Sequence, residues 1–341
     1  MTAYARLLSP LDTGKLRLRN RIVMPPMVTC MDAGGGQAHW WYVARALGGT
    51  GLIIREATSI RDIAEPAFAA KLKRTIDAVH EAGCAFTAQL YEPGRASDGE
   101  TIAPSDRDGA RAATEAELEE MVKLWAASAL NCRSAGCDGV EPHGAHGFFL
   151  NRFFSPVHNT RTDAFGGSAE RRMELGLRIV RAIRAAVDDG CAVLYRHTPV
   201  GEGYGLDESR AFAQALQEAG VDVLDVSPST SSDTAPRADW AGALKQAVSI
   251  PVIAVGGFGL DPDEAERVLA EGRADLIAIG RGLIADRELP MKLSEGKKDS
   301  IIRCIVCNEK CFGNLSKGIP IGCTQNPESG QEYLADLARQ A

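Results

Sequence analysis

Several things are scarce in this sequence. No apolar run approaches the roughly 20 residues that a bilayer-spanning helix needs, which argues against a membrane protein. Positive charge is in deficit: 38 Lys and Arg stand against 45 Asp and Glu, so 38 − 45 gives −7. That is the wrong sign for bulk attraction to DNA, RNA or anionic lipid. The opening stretch lacks a signal peptide's apolar segment, so a cytoplasmic protein is expected. No P-loop is found, and no dinucleotide fingerprint follows an early strand. The nearest match, Gly257 and Gly259, has Pro262 where the third Gly belongs. Disorder, a membrane channel and a disulfide-stapled secreted module are all poor readings.

What is present is the composition of a soluble globular chain: 45% hydrophobic and 24% charged over 341 residues. Short β-branched or apolar runs alternate with longer helical patterns. The expected strands are Arg21–Met24, Leu52–Glu56, Ala85–Leu90, Gly139–Pro142, Ala192–Arg196, Val221–Val226, Val252–Val255 and Leu276–Ile279. Glu115–Ala135 and Ala169–Val187 read as helices; in the second, Leu175, Leu177, Ile179, Val180 and Ile183 form one apolar face. Asp207 and the Asp261–Pro262 pair look like helix starts. Strand–helix alternation implies parallel strands with right-handed crossovers. Eight such units imply an α/β fold, a closed (β/α)8 TIM barrel, rather than a doubly wound open sheet. The barrel is expected to occupy residues 1–293. Lys292–Lys298 reads as a polar surface linker, and residues 294–341 as a short C-terminal extension too small to fold without a staple.

That extension carries a distinctive pattern. Of nine cysteines, Cys30, Cys84, Cys132, Cys137 and Cys191 are scattered, while Cys304, Cys307, Cys311 and Cys323 crowd into the tail. In a reducing compartment such a cluster binds metal more readily than it forms disulfides. Spacing alone leaves zinc and iron–sulfur chemistry both open.

A barrel of this type holds its chemistry at the C-terminal ends of the strands, with a phosphate site commonly after strands seven and eight. Strand seven ends in Gly256, Gly257 and Gly259, and strand eight in Gly280, Arg281 and Gly282. Glycine lets backbone approach a phosphate closely, and Arg281 adds charge, so a phosphate-bearing ligand is expected there.

At this point the residues resemble a known family. The run Asn20 to Met27 is similar to the first strand of Old Yellow Enzyme-type flavin oxidoreductases. Similar too are Gln89 with Leu90, Gly94 with Arg95, Ala103 to Ser105, and Arg196 at the end of strand five. The longest match runs from His143 through His146, Asn151, Pro156 and Asn159 to Arg171. The four tail cysteines resemble the cluster region of the 2,4-dienoyl-CoA reductase and trimethylamine dehydrogenase branch. The resemblance implies FMN on top of the barrel and a [4Fe–4S] cluster held by Cys304, Cys307, Cys311 and Cys323. It implies that Gln89 bonds the pyrimidine edge and that Arg196 faces the flavin where negative charge gathers on reduction. Met24, Pro25, Pro26, Met27 and Ala57 line the ring, and Gly257, Gly280 and Arg281 hold the phosphate. His143 and His146 donate hydrogen bonds to one oxygen of a small-molecule substrate.

The chain also departs from the family. The usual Tyr two residues after the second His is Phe148, which has no proton to give, and a usual His is Glu92. Tyr91, Glu92, His197 and Tyr204 are the candidate substitutes. Val28 aligns with the cysteine that attaches FMN in trimethylamine dehydrogenase-like enzymes, so Cys30 reads as a substrate-side or packing residue. The dienoyl reductases continue into FAD- and NADPH-binding domains, and no dinucleotide fingerprint follows Cys323 here. Electrons are therefore expected from a separate electron-transfer protein through the cluster, with NAD(P)H at the FMN as the alternative. Three activities are weighed. The first is ene reduction of a conjugated carbonyl compound, or the reverse desaturation. The second is amine dehydrogenation or N-demethylation, and the third an electron-relay subunit without its own substrate. The oligomeric state, a homo-oligomer included, is left open.

Overall fold

The computed structural model describes residues 3–229 and 237–334. Eight parallel strands close into a barrel: β1 (Ile22–Met24), β2 (Leu52–Ser59), β3 (Ala85–Tyr91), β4 (Gly139–Gly144), β5 (Ala192–His197), β6 (Val223–Val226), β7 (Val252–Val255) and β8 (Leu276–Ala278). Each lies within three residues of its expected ends. The ring closes where β8 pairs with β1, Ile277 opposite Ile22. β2 runs on past its expected end, and its register on β3 shifts between Arg55 and Thr58. That irregularity delivers Ala57 to the barrel mouth.

Side chains alternate across the strands. One apolar cluster fills the barrel, with Val23, Leu52, Leu194, Val223, Ile253 and Leu276 joined by Leu16 and Leu18 from a small N-terminal ribbon. The other lies between strands and helices and holds Trp41, Phe86, Trp125, Ile179 and Phe212.

Local chemistry explains the helices. Glu115–Ala135 opens on a reciprocal Thr114–Glu117 capping box and stops at Gly136 in the left-handed region. In Ala169–Ala186 all five residues of the expected apolar face are buried. Asp261 caps Pro262–Ala270. The helix expected at Asp207 starts at Leu206, where Glu208 reaches back to the Gly205 N–H.

The expected linker is shorter than Lys292–Lys298: residues 294–297 are exposed, but its first three residues belong to a helix. Leu289–Ser294 is helical, with Pro290 in its first turn and Leu289 and Leu293 buried. Lys292 pairs with Asp286 at 2.7 Å instead of facing solvent alone. Beyond it the tail folds back over the C-terminal mouth. Ile321 N–H donates to the Thr29 carbonyl at 2.9 Å, and Glu332 meets the buried Arg45 guanidinium at 2.9 Å. No helix among the described residues is long and apolar enough to cross a membrane.

Candidate active site at the mouth of the barrel

The C-terminal strand ends surround a cavity of about 540 Å3. A groove of about 700 Å3 on the barrel flank, between Trp40, Arg287 and Leu334, contains none of these strand-end residues. Of the residues expected at the flavin and substrate, the mouth cavity gathers Pro25, Pro26, Met27, Ala57, Gln89, His143, His146, Arg196, Gly257, Gly280 and Arg281, whereas Met24 is buried in the apolar core. Val28 and Phe148 line it as well, whereas Cys30 does not. One wall comes from the tail, through Cys311, Phe312, Leu315 and Ile321.

Beneath the cavity lies a buried polar layer set by strand register, with Gln89 opposite Glu141 and Arg196 opposite Asp225. Gln89 Nε2 donates to Glu141 Oε1 at 2.7 Å. Arg196 Nη2 donates to Ser227 Oγ at 3.0 Å, and its Nε stands 3.4 Å from Asp225 Oδ2. Ser227 Oγ in turn pairs with His146 Nε2 at 2.8 Å.

Both candidate histidines are held neutral. Burial, then the neighbouring His146 and Arg196, push His143 well below the usual imidazole range. Burial and Arg196 push His146 down to about 3. The Ala145 backbone N–H donates to His143 Nδ1 at 3.3 Å, which assigns the ring proton to Nε2. His143 is therefore a neutral donor.

The two glycine-rich ends separate by role. Gly256 and Gly257 have φ of +110° and +79°, and a Cβ there would collide with the Arg237 side chain at 2.6 and 2.8 Å. Arg237 thus lies across this glycine turn and lines the cavity. Gly259 and Gly282 serve a different end: a Cβ on Gly259 would sit 2.9 Å from Gly282 Cα, so they let two loops touch. Gly280 and Arg281 face the cavity. A site of this kind fits FMN: a polar layer for the pyrimidine edge, apolar Pro25 and Met27 for the ring, and glycine backbone between two arginines for a phosphate.

Three of the four substitute proton donors are committed elsewhere. Glu92 Oε1 accepts the backbone N–H groups of Gly94 and Arg95, which closes a turn. His197 is fully buried and pairs with Ser209 Oγ at 2.9 Å. Tyr204 donates to the Thr198 carbonyl and accepts from Asn151. Tyr91 is half-buried and packs edge-on against Phe148, with ring centres 5.0 Å apart.

The four tail cysteines come together. Cys304, Cys307, Cys311 and Cys323 line one shallow hollow. Val306 N–H donates to Cys304 Sγ and Gln325 N–H to Cys323 Sγ, both at 3.4 Å. Val306 and Asn308 hold positive φ, which wraps the loop around the sulfurs. Among the described residues no three His, Cys, Asp or Glu side chains converge on a single ion position. The hollow and the cavity share Arg281, Ile284 and Cys311.

A family model described as NADH:flavin oxidoreductase / NADH oxidase matches residues 6–300. The chain is 36% identical to an NADH oxidase of Thermoanaerobacter brockii, over 100% of this chain and 59% of that protein. It is similar to the solved structure of 2-naphthoyl-CoA reductase in complex with 2-naphthoyl-CoA, at 25% identity and a TM-score of 0.89, over 97% of this chain and 58% of that one. It is also similar to histamine dehydrogenase from Rhizobium sp. 4-9, at 27% identity and a TM-score of 0.87, over 97% and 53%. The chain thus spans little more than half the length of these three proteins.

Proposed function

The chain belongs to the NADH:flavin oxidoreductase / NADH oxidase family, and from that premise we propose that it is an FMN-dependent oxidoreductase acting on a conjugated C=C of a carbonyl compound. One observation carries the reading: neutral His143 and His146, Arg196 and the glycine turn all meet in one cavity at the strand ends. Gln89 and Arg196 would hold the pyrimidine edge of FMN, and Gly257, Gly280, Arg281 and Arg237 its phosphate. Bound there, FMN supplies a reversible hydride carrier.

The protein's own side chains do the rest. His143 Nε2–H donates to the substrate carbonyl oxygen, and His146, held by Ser227, flanks it. As donors they draw electron density from the conjugated bond and leave its far carbon electron-poor. Because both rings are neutral, they polarise that oxygen without a full charge of their own. Arg196 brings the positive charge. Phe148, Phe312 and Leu315 cover the substrate with hydrocarbon and exclude water.

The grouping of four thiols around one hollow, with N–H donors to two sulfurs, supports a [4Fe–4S] cluster on residues 294–341 and FMN on 1–293. The wall shared by hollow and cavity supports electron entry through that cluster from a separate electron-transfer protein, with NAD(P)H at the flavin as the other source. The likeness to 2-naphthoyl-CoA reductase favours a conjugated acyl substrate.

A second reading, amine dehydrogenation, draws on Phe148 and on the likeness to histamine dehydrogenase, since oxidation needs no acid at the α-carbon. Anaerobic mixing separates the two. Oxidation of the reduced protein by an aryl enone or enoate supports the first. Bleaching of the oxidised protein by an amine, with no enone turnover, replaces it with the second.

A further inference from the structure

Glu141 on β4 and Asp225 on β6 are fully buried carboxyl groups inside the barrel, directly under the active-site cavity. They lie within hydrogen-bonding reach of each other. Glu141 Oε2 and both Asp225 oxygens nevertheless have no hydrogen-bond donor. Among the described residues the cation paired with them is Arg196, 3.4 Å from Asp225 Oδ2. Two carboxylates in contact, out of water, against one guanidinium leave an uncompensated buried charge. Acceptors without donors carry a further cost.

We propose that Glu141 and Asp225 share one proton, carried on Glu141, and that this carboxyl pair is the positioning device for Gln89 and Arg196. The proton removes the excess charge and pairs Glu141 Oε2 with one Asp225 oxygen, while Asp225 Oδ2 stays in ionic contact with Arg196 Nε at 3.4 Å. Glu141 Oε2–H donates to Asp225, Glu141 Oε1 still accepts from Gln89 Nε2, and Asp225 stays ionised against Arg196. Burial pushes both acids up; the facing Asp225 drives Glu141 further toward its protonated form, while Arg196 and then the bond to Glu141 pull Asp225 back toward ionisation.

The result is a continuous arc: Gln89 to Glu141, Glu141 to Asp225, Asp225 to Arg196, Arg196 to Ser227, and Ser227 to His146. It joins both ends of the site. Committing the Gln89 amide nitrogen to Glu141 leaves its carbonyl oxygen for a ligand N–H. Anchoring Arg196 through Nε and Nη2 leaves Nη1 for a ligand oxygen. One carboxylate then balances one guanidinium. Loss of the shared proton would add a negative charge beneath the place where an electron-accepting ligand binds. The inference rests on the flavin reading only for what Gln89 and Arg196 hold.

Infrared difference spectroscopy of the purified protein at neutral pH tests it without turnover. A protonated-carboxyl carbonyl band that shifts in D2O is expected in the wild type and should vanish in both Glu141→Gln and Asp225→Asn. In the second variant Glu141 loses its proton-sharing partner and ionises against Arg196. Glu141→Gln, an isostere of the protonated acid, should keep FMN affinity within about threefold, whereas Glu141→Leu should weaken it about tenfold by stranding Gln89 and Asp225. Absence of the band in the wild type, or its survival in both variants, overturns the proposal. So does equal loss of affinity in the Gln and Leu variants. A band that behaves as expected in a protein that reduces no conjugated carbonyl would sink the proposed reaction and leave the carboxyl pair standing.

Discussion

The ring of Phe148 stands 4.8 Å from the ring of His143. The side chain beside the carbonyl-binding imidazole is therefore one that cannot donate a proton. Phe148→Tyr should place a hydroxyl at that spot. If proton delivery to the α-carbon limits reduction, the rate with a conjugated ketone should rise by up to about 100-fold, the low end of general-acid catalysis. Amine oxidation should be unmoved. Single-turnover oxidation of the reduced protein, with and without the substitution, reads this directly.

The two active-site histidines make a pH prediction with a definite sign. In the unfolded chain a His binds a proton near pH 6.5, while folded His146 and His197 stay neutral down to about 3, and His143 also lies well below 6.5. Between those values the unfolded chain holds more protons. The stability these burials contribute is fully present above about pH 6.5 and is lost as pH falls toward 3. Replacing His143 and His146 together by Asn should flatten part of the acid side of the Tm profile and leave the His197 share. Replacing the same pair by Ala, which leaves no donor, should lower kcat/KM for a carbonyl substrate by about 100- to 1,000-fold, the scale of lost oxyanion-type donors. Equal acid slopes in wild type and variant would contradict the neutral-histidine assignment.

Much of this was legible from sequence, because it is written locally. Eight β-branched runs spaced by helical stretches mark a barrel, and glycines after β7 and β8 mark a close backbone approach. The glycines did not reveal that Gly259 and Gly282 serve each other, because that contact joins separate loops. Glu141 and Asp225 sit in strands as ordinary members of an alternating pattern, and only closure of the barrel turns them toward each other. Ser227 and Arg237 carry no motif. Lys292–Lys298 looked like a linker because its charges are obvious and its buried Leu293 is a single residue. The wall built by Phe312, Leu315 and Ile321 comes from the far end of the chain, where no local periodicity reports a contact.

Arg237 leans on the Gly256–Gly257 turn and faces the cavity, so it is placed to meet a phosphate from the side opposite the backbone. Arg237→Ala should weaken FMN about tenfold, the scale of one charge-assisted hydrogen bond. Riboflavin, which lacks the phosphate, should bind both proteins alike. Fluorescence titration of flavin-free protein with each ligand measures the difference, and an equal loss for both would assign Arg237 to the ring instead.

Arg45 and Glu332 form a buried pair that ties the tail to the barrel, with the guanidinium also stacked on Trp41. Glu332→Leu should cost about 3–5 kcal/mol, because it strands a buried charge. Adding Arg45→Met should recover most of that, since two apolar groups need no partner. Denaturant unfolding of the two single variants and the double variant gives the coupling. Simple additivity would mean that the pair does not hold the tail.

The four cysteines allow the sharpest separation of a structural from an electronic role. Their hollow shares Arg281, Ile284 and Cys311 with the cavity, so removing a thiolate can act through the fold, through electron supply, or through both. Cys323→Ser preserves size and removes a soft ligand at a partly exposed position. After anaerobic reconstitution, the wild type should carry iron and sulfide in equal amounts with broad visible absorbance beyond the flavin bands, and the variant should lose both. Flavin affinity should change by less than about threefold, because Cys323 lines the hollow and not the cavity. Oxidation of dithionite-reduced protein by substrate should then persist, since that half-reaction needs only the cavity, while reduction by an external one-electron donor should fail. If both half-reactions fail and flavin is lost, the thiolates chiefly hold the wall in place. If the wild type takes up zinc and no iron, the tail is a structural staple, and electrons reach the cavity from NAD(P)H directly.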